Sequence, residues 1–430
     1  LVNLYIMKFS TDVLLIAPSV MGVIFSISRI WDAVSDPVAG YLSDRTTFKF
    51  GRRRTWILVS FVPISLGFLA VFSPPTTMEG QALDTWMMFA ILGFYSAMTL
   101  FLVPHMALGA EISDDYHERT KLFGVRHIGF TFGSILALIS MSILINEEVK
   151  PEGNVRQLAS NLALFSVLIM SAFIIFSVSR LKERPEYQNR VNKNPFKAFR
   201  DVWKNYHAKI LLIILFIENL GGAVIGVLTL YVTQYIVEAP EWAPLIIFAY
   251  MFPAAASVPL WIPLSRKYGK IKLWIFSLAA TGIAFGGIFV IPFLDSVTER
   301  LIVIFTGAIL GGIAAGCGGA VGPSIKGDVI DYDEYLTGER KEGTYFAAAN
   351  FVFKSATGIM LLLTGFVLQF SGFIPNQPQT MEVKVALISL YGLVPLIFYS
   401  LGAFILYKKF KFGEKEHAAI KSEIDTALSR

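Results

Sequence analysis

Twelve apolar runs set the limits on what this 430-residue chain can fold into. A helix needs roughly 20 apolar residues to cross a bilayer. The runs lie near 1–12, 18–43, 54–73, 85–112, 119–145, 157–181, 208–237, 242–264, 271–293, 300–327, 343–371 and 383–408. The first is short and reads as the end of a truncated first helix. Charged residues make up 16% of the chain and hydrophobic ones 54%, against about 25% charged in a soluble domain. The expected fold is therefore an all-α membrane protein with twelve transmembrane helices, a multi-pass protein of the cell membrane (the inner membrane, if bacterial).

Charge along the connections sets the expected topology. Arg45, Lys49 and Arg52 to Arg54 form one basic loop; Arg266, Lys267, Lys270 and Lys272 form another, and Arg340 and Lys341 a third. The alternate connections hold Glu79 and Asp84, Glu238 and Glu241, or Asp295, and few cations. Loops rich in Lys and Arg stay in the cytoplasm, so both termini are expected there. A long basic segment at 182–207, where Phe196, Phe199 and Trp203 alternate with cations, separates an N-terminal bundle at 1–181 from a C-terminal bundle at 208–408. The aromatic residues predict a short interfacial helix. Residues 409–430 form a polar tail. The net charge of +5 sits in these loops and does not suggest nucleic acid, and the single cysteine, Cys317, excludes an intramolecular disulfide. It lies among glycines at 311–319, which read as close helix packing.

The second run carries the functional signal. Arg29, Asp32 and Asp36 are spaced i, i+3, i+7 and project from one helix face. A carboxylate in mid-membrane costs about 2.5–3.5 kcal/mol on insertion scales, so two of them need a compensating cation. Sodium is a hard ion that takes oxygen ligands, as other hard cations do. Pro37 has no N–H, which leaves the Ala33 carbonyl as a further oxygen. The competing reading is an ion pair with Arg29 or Lys354 and no metal.

The halves also repeat. Gly40-Tyr-Leu-Ser-Asp44-Arg45, followed by Gly51-Arg52-Arg53-Arg54, matches the stretch Leu264-Ser-Arg266-Lys267-Tyr-Gly269-Lys270 in the second half. The end of the fourth run, Gly109-Ala-Glu111, matches Gly327-Asp328-Val-Ile-Asp331 in the tenth. Parallel six-helix halves give this pattern. The first loop resembles the cytoplasmic signature of the major facilitator superfamily. With Trp31-Asp32-Ala33-Val-Ser-Asp36-Pro37, and with Asp328-Val-Ile-Asp331-Tyr332 followed by Lys354, the chain more narrowly resembles the glycoside–pentoside–hexuronide cation symporters, the melibiose permease group.

That resemblance implies two pseudo-symmetric six-helix bundles and alternating access. It implies that Asp32 and Asp36 bind the coupling cation, that Arg126 faces the substrate, and that Lys354 lies beside the cation site. One departure stands out. Sugar-binding members carry Asp-Ile-Pro-Phe-Trp in the fourth helix, where this chain has Leu102-Val103-Pro104-His105-Met106. Leu102 replaces the carboxylate that grips sugar hydroxyls, and Met106 replaces the aromatic platform. The stretch Val103 to Leu108 is similar to that of the vertebrate sodium-dependent lysophosphatidylcholine symporters. An acidic residue that the family places in the first helix would precede Leu1.

These readings combine into a sodium-coupled symporter, expected as a monomer in the bilayer, with sodium as its only inorganic partner and no cofactor. Arg126 and Lys354 are left as cations beside Phe and Met, which suits a phosphate headgroup. The expected cargo is thus an amphiphile such as a lysophospholipid, with Leu102, His105, Met106 and Glu218 as further contacts. A glycoside is the alternative cargo, and a non-transporting sensor or scaffold the alternative class. No nucleophile–base pair or nucleotide-binding loop supports an enzyme. Asp44, Arg45, Arg53, Glu111, Asp328 and Asp331 are expected to form salt bridges that close the cytoplasmic side.

Overall fold

The computed structural model describes the chain except at residues 1, 47, 49, 112–115, 151–152, 182, 184–201, 338–341, 411–415 and 417–430. The side chains of 2–3, 33, 44, 109–111, 116–121, 123–124, 127–128 and 342–343 are likewise outside the description. The expected interfacial helix with Phe196 and Phe199, and nearly all of the tail, therefore lie outside the described residues. Among those described there are helices and no strands, and ten helices are long and apolar enough to cross a membrane.

The chain forms two compact units, Leu1–Lys193 and Asn194–Arg430. The first holds α1 (Val2–Lys8), α2 (Pro18–Arg45), α3 (Arg52–Phe72), α4 (Gly80–Glu111), α5 (Tyr116–Glu148) and α6 (Val155–Arg180). In it α4 packs on both α2 and α3, and α3 on α6. The second holds α7 (Tyr206–Val232), α8 (Ala243–Tyr268), α9 (Lys270–Gly287), α10 (Val297–Thr337), α11 (Glu342–Phe370), α12 (Met381–Ile388) and α13 (Val394–Lys409). There α10 packs on α8 and α9, and α13 on α7 and α9. A π turn, Ser389–Leu393, joins α12 to α13, so the two make one span. α2 is 28 residues long, or about 42 Å at 1.5 Å per residue, and so also has the length to cross.

The repeat is visible in backbone detail. α1 runs into a π turn at Phe9–Val13 and α7 into one at Thr233–Val237. Each turn is closed by a hydrogen bond six residues back, Ile16 N–H to Ser10 C=O at 2.9 Å and Ala239 N–H to Thr233 C=O at 3.0 Å. Each is followed within two residues by a left-handed non-glycine residue, Leu15 (φ 57°) and Glu238 (φ 66°). The third helix of each unit, α3 and α9, starts after a glycine of positive φ, Gly51 at 106° and Gly269 at 87°. The first and third helices of the two halves thus share their terminating and starting devices.

At Gly51 the glycine is needed twice over. The backbone conformation disfavours a side chain, and a Cβ there would sit 2.6 Å from Glu183 Oε1. The Glu183 carboxylate accepts hydrogen bonds from the backbone N–H groups of Arg52, Arg53 and Arg54 at 2.6–2.7 Å. It therefore satisfies donors that a helix start leaves open, and its charge suits that end of the helix dipole. A buried ionic cluster ties α1 to α5: Lys8, 1% exposed, reaches Glu148 Oε2 at 2.6 Å and Asp12 Oδ2 at 3.6 Å.

α10 extends past the expected boundary near 327 and continues to Thr337. Residues 328–337 carry no proline or glycine to stop the helix. Asp328 and Asp331 consequently sit on α10 itself.

A polar seam between α2 and α4

α4 meets the Asp32–Asp36 face of α2 with hydroxyls, one on Asp36 and one on the Arg29 that lies beside Asp32. Thr99 Oγ1 donates to Asp36 Oδ1 at 2.8 Å. Arg29 approaches Asp32 Oδ2 at 3.4 Å, donates from Nη2 to Tyr95 Oη at 2.8 Å, and lies over the Tyr95 ring at 4.2 Å. Trp31 Nε1 donates to Ser96 Oγ at 2.7 Å. Tyr95 and Thr99 are one helical turn apart, as are Asp32 and Asp36, so the contacts stack along one line. Asp32 is 2% exposed and Asp36 half-buried. One carboxylate is thus sealed beside an arginine, and the other is more open and held by a hydroxyl.

The donor set is oxygen, which fits a hard monovalent ion and not a soft metal. Among the described residues no group of three or more His, Cys, Asp or Glu side chains could hold a metal. The Thr99 hydroxyl donates here, and its oxygen lone pairs can turn to a cation instead. The side chain of Ala33 lies outside the described residues. Sequence reading missed Tyr95, Ser96 and Thr99. The i, i+4 spacing of Tyr95 and Thr99 on an apolar helix, opposite an i, i+4 carboxylate pair, was the available signal.

Further along α4, Thr99, Leu102 and Met106 share a face by spacing; Leu102 is 41% and Met106 44% exposed. His105 stacks on Phe101 with ring centroids 5.1 Å apart. Arg126 lies on α5 and is exposed. The side chain of His127 lies outside the described residues.

The second unit carries Glu218 and Lys354. Lys354 is half-buried on α11. Glu218 sits midway along α7, with Oε1 reaching to 3.3 Å from the point where a Cβ on Gly318 would stand. Among the gate residues, Arg53 is 5% exposed and donates to Ser43 Oγ at 2.6 Å. Arg45 lies over the Tyr41 ring at 4.2 Å, and Asp328 pairs with Lys270 at 2.7 Å. Each of these contacts lies inside one unit. Asp331 is half-buried, and the side chains of Asp44 and Glu111 lie outside the described residues.

Residues 1–413 match the family model described as MFS/sugar transport protein. The chain belongs to this family. The inner membrane symporter YicJ of Escherichia coli (strain K12) is 27% identical over 411 residues, covering 94% of this chain and 86% of that protein. The sodium-dependent lysophosphatidylcholine symporter 1-B of Danio rerio is 23% identical over 441 residues, covering 94% and 82%. Among solved structures, a variant of the nucleoside transporter NupG superposes with a TM-score of 0.65 at 16% identity over 94% of each chain, a likeness of fold. The expected major facilitator architecture and the resemblance to cation symporters are both borne out. The chain is a multi-pass membrane transporter of the symporter type, in a family of transporters and not of enzymes.

Proposed function

We propose that this transporter is a sodium-coupled symporter working by alternating access, with Asp32 and Asp36 as the ion's ligands. The observation that carries the reading is the seam itself: two carboxylates on one face of α2, one held by the Thr99 hydroxyl and one beside Arg29. Asp36, the more open of the two, receives the ion, with Thr99 turning an oxygen lone pair to it. Arg29 keeps Asp32 compensated before the ion arrives. A bare carboxylate in a dry interior is costly, so ion binding favours the state in which the site is closed to water. Sodium and cargo then raise each other's affinity by the same factor.

For the cargo, the reading is an amphiphile with a phosphate headgroup, such as a lysophospholipid. Arg126 on α5 and His105 on α4 offer polar contacts for the headgroup, Arg126 as its cation, and Leu102 and Met106 an exposed apolar face where sugar-binding relatives have an acid and an aromatic ring. Lys354 and Glu218 are the further contacts from the second unit. The zebrafish relative, named for a lysophosphatidylcholine, stands with this reading. A glycoside is the second reading, favoured by the family description as sugar transport. The termini are placed in the cytoplasm by the basic loops, the protein acts as a monomer, and Arg45, Arg53, Asp44, Glu111, Asp328 and Asp331 form the cytoplasmic gate. Uptake into proteoliposomes of a labelled lysolipid and of labelled glycosides, with and without a sodium gradient, tests the proposal. Sodium-driven lysolipid accumulation is expected. Saturable sugar uptake that lysolipid does not inhibit would assign the second cargo, and ligand binding without accumulation would make the protein a sensor.

A further inference from the structure

Lys8 on α1 and Glu148 at the end of α5 meet inside the first unit. Lys8 Nζ donates to both oxygens of the Glu148 carboxylate, to Oε2 at 2.6 Å. Lys8 is 1% exposed, and the Glu148 side chain 15%. Lys8 has another carboxylate four residues on in its own segment, Asp12 at 3.6 Å, whose Oδ1 accepts from Thr11 Oγ1 at 2.7 Å. Compensation of the Lys8 charge therefore does not by itself explain a carboxylate from another helix. A buried ion pair also adds little net stability, because desolvation offsets its attraction; what it can supply is a fixed geometry.

α5 is a helix that needs such a fix. Toward its end one stripe is buried, Leu138, Met141 and Ile145, and Glu148 continues that stripe at helical spacing. From 125 to 136 the described residues of α5 are exposed, apart from half-buried Ser134. Arg126 lies in that open stretch. It precedes Glu148 by about six turns, or about 33 Å, and so falls on nearly the same face. Apolar contact is non-directional and leaves the rotation of a helix loosely set, whereas charge-assisted hydrogen bonds are directional and short. We infer that Lys8 and Glu148 are positioning residues: their pair sets the rotation and register of α5, and through the helix the direction in which Arg126 is presented. The inference rests on reading Arg126 as the headgroup cation, and it adds the device that aims it.

The one native cysteine, Cys317, is fully buried, so spin labels go to introduced cysteines. Pulsed EPR on the purified full chain, labelled at Val125→Cys on α5 and Phe173→Cys on α6, both exposed positions, reads the aim of α5 without cargo. Glu148→Gln leaves Lys8 its Asp12 partner and is expected to shift or broaden that distance distribution; an unchanged distribution would overturn the anchor. Should Glu148→Gln fail to fold, Glu148→Asp keeps the charge and shortens the arm by one carbon. It is expected to displace the distance, and the wild-type distance would again overturn the anchor. In proteoliposomes the KM of Glu148→Gln for labelled lysolipid is expected to rise roughly tenfold with the maximal rate kept, as for a lost binding contact. An unchanged KM in Glu148→Gln, where Arg126→Gln is impaired, would contradict the positioning of Arg126. An unchanged KM in Arg126→Gln itself would remove the headgroup role of Arg126, while the EPR distances go on deciding the anchor, so the two proposals fail separately.

Discussion

Thr99 is the smallest change that probes the seam. Thr99→Val keeps the shape of the side chain and removes the oxygen that meets Asp36 at 2.8 Å. A hydrogen-bonding or ligating oxygen contributes about 1–1.5 kcal/mol, so the sodium concentration giving half-maximal stabilisation should rise roughly tenfold. An unchanged titration takes Thr99 out of the site. Asp32 and Asp36 were legible in the sequence because a charge inside an apolar run is rare and costly. Tyr95, Ser96 and Thr99 were not, because hydroxyls are common in membrane helices and bond their own backbone, as Ser96 does to Leu92 C=O at 2.7 Å. Only their pairing with α2 singles them out. Lys8 and Asp12 carried the same signal of buried charge and were passed over in a run read as truncated.

Helix starts depend on single devices, and two of them can be tested. Gly51→Ala puts a methyl group at positive φ and against the Glu183 carboxylate. Strain of this kind costs about 1–3 kcal/mol, so the variant should melt measurably earlier, whereas Gly269→Ala, with open space at its Cβ, should lose only the backbone part. Equal losses would remove Glu183 from the account. Between α7 and α8, Glu238 bonds Lys384 at 2.8 Å and Arg300 at 3.3 Å. The hydrogen bond from Lys384, and then the charges of Lys384 and Arg300, hold its carboxyl below the usual range against the opposing effect of burial. With the folded value depressed, this tether stabilises above the ordinary glutamate value of about 4.3 and is lost as pH falls through the folded value. Melting curves from neutral pH down to about 3 should therefore show an extra loss that Glu238→Gln removes and that salt weakens; identical pH slopes would contradict it. The elements themselves were legible, since apolar runs and helices agree to within a few residues. α10 was the exception: hydropathy ends at 327, whereas the helix continues through a polar but unbroken segment to Thr337.

At the scale of the whole molecule, the two-half architecture was readable from the repeated glycine loops, and the π turns ending α1 and α7 extend that repeat into backbone geometry. The cargo was not readable in the same way. It depends on which side chains line a binding site in a moving carrier, and Leu102 and Met106 specify only what has been lost relative to sugar-binding relatives. The coupling ion is the more tractable claim, because a ligand that binds the folded state must stabilise it in proportion to its occupancy. The deciding measurement is the melting temperature of the purified full chain titrated with sodium, at constant ionic strength, for wild type and Asp36→Asn. A saturable rise in wild type that is absent in Asp36→Asn is the predicted result. A wild type indifferent to sodium, or an Asp36→Asn variant that responds as wild type does, would contradict the assignment of the α2 carboxylates to the ion.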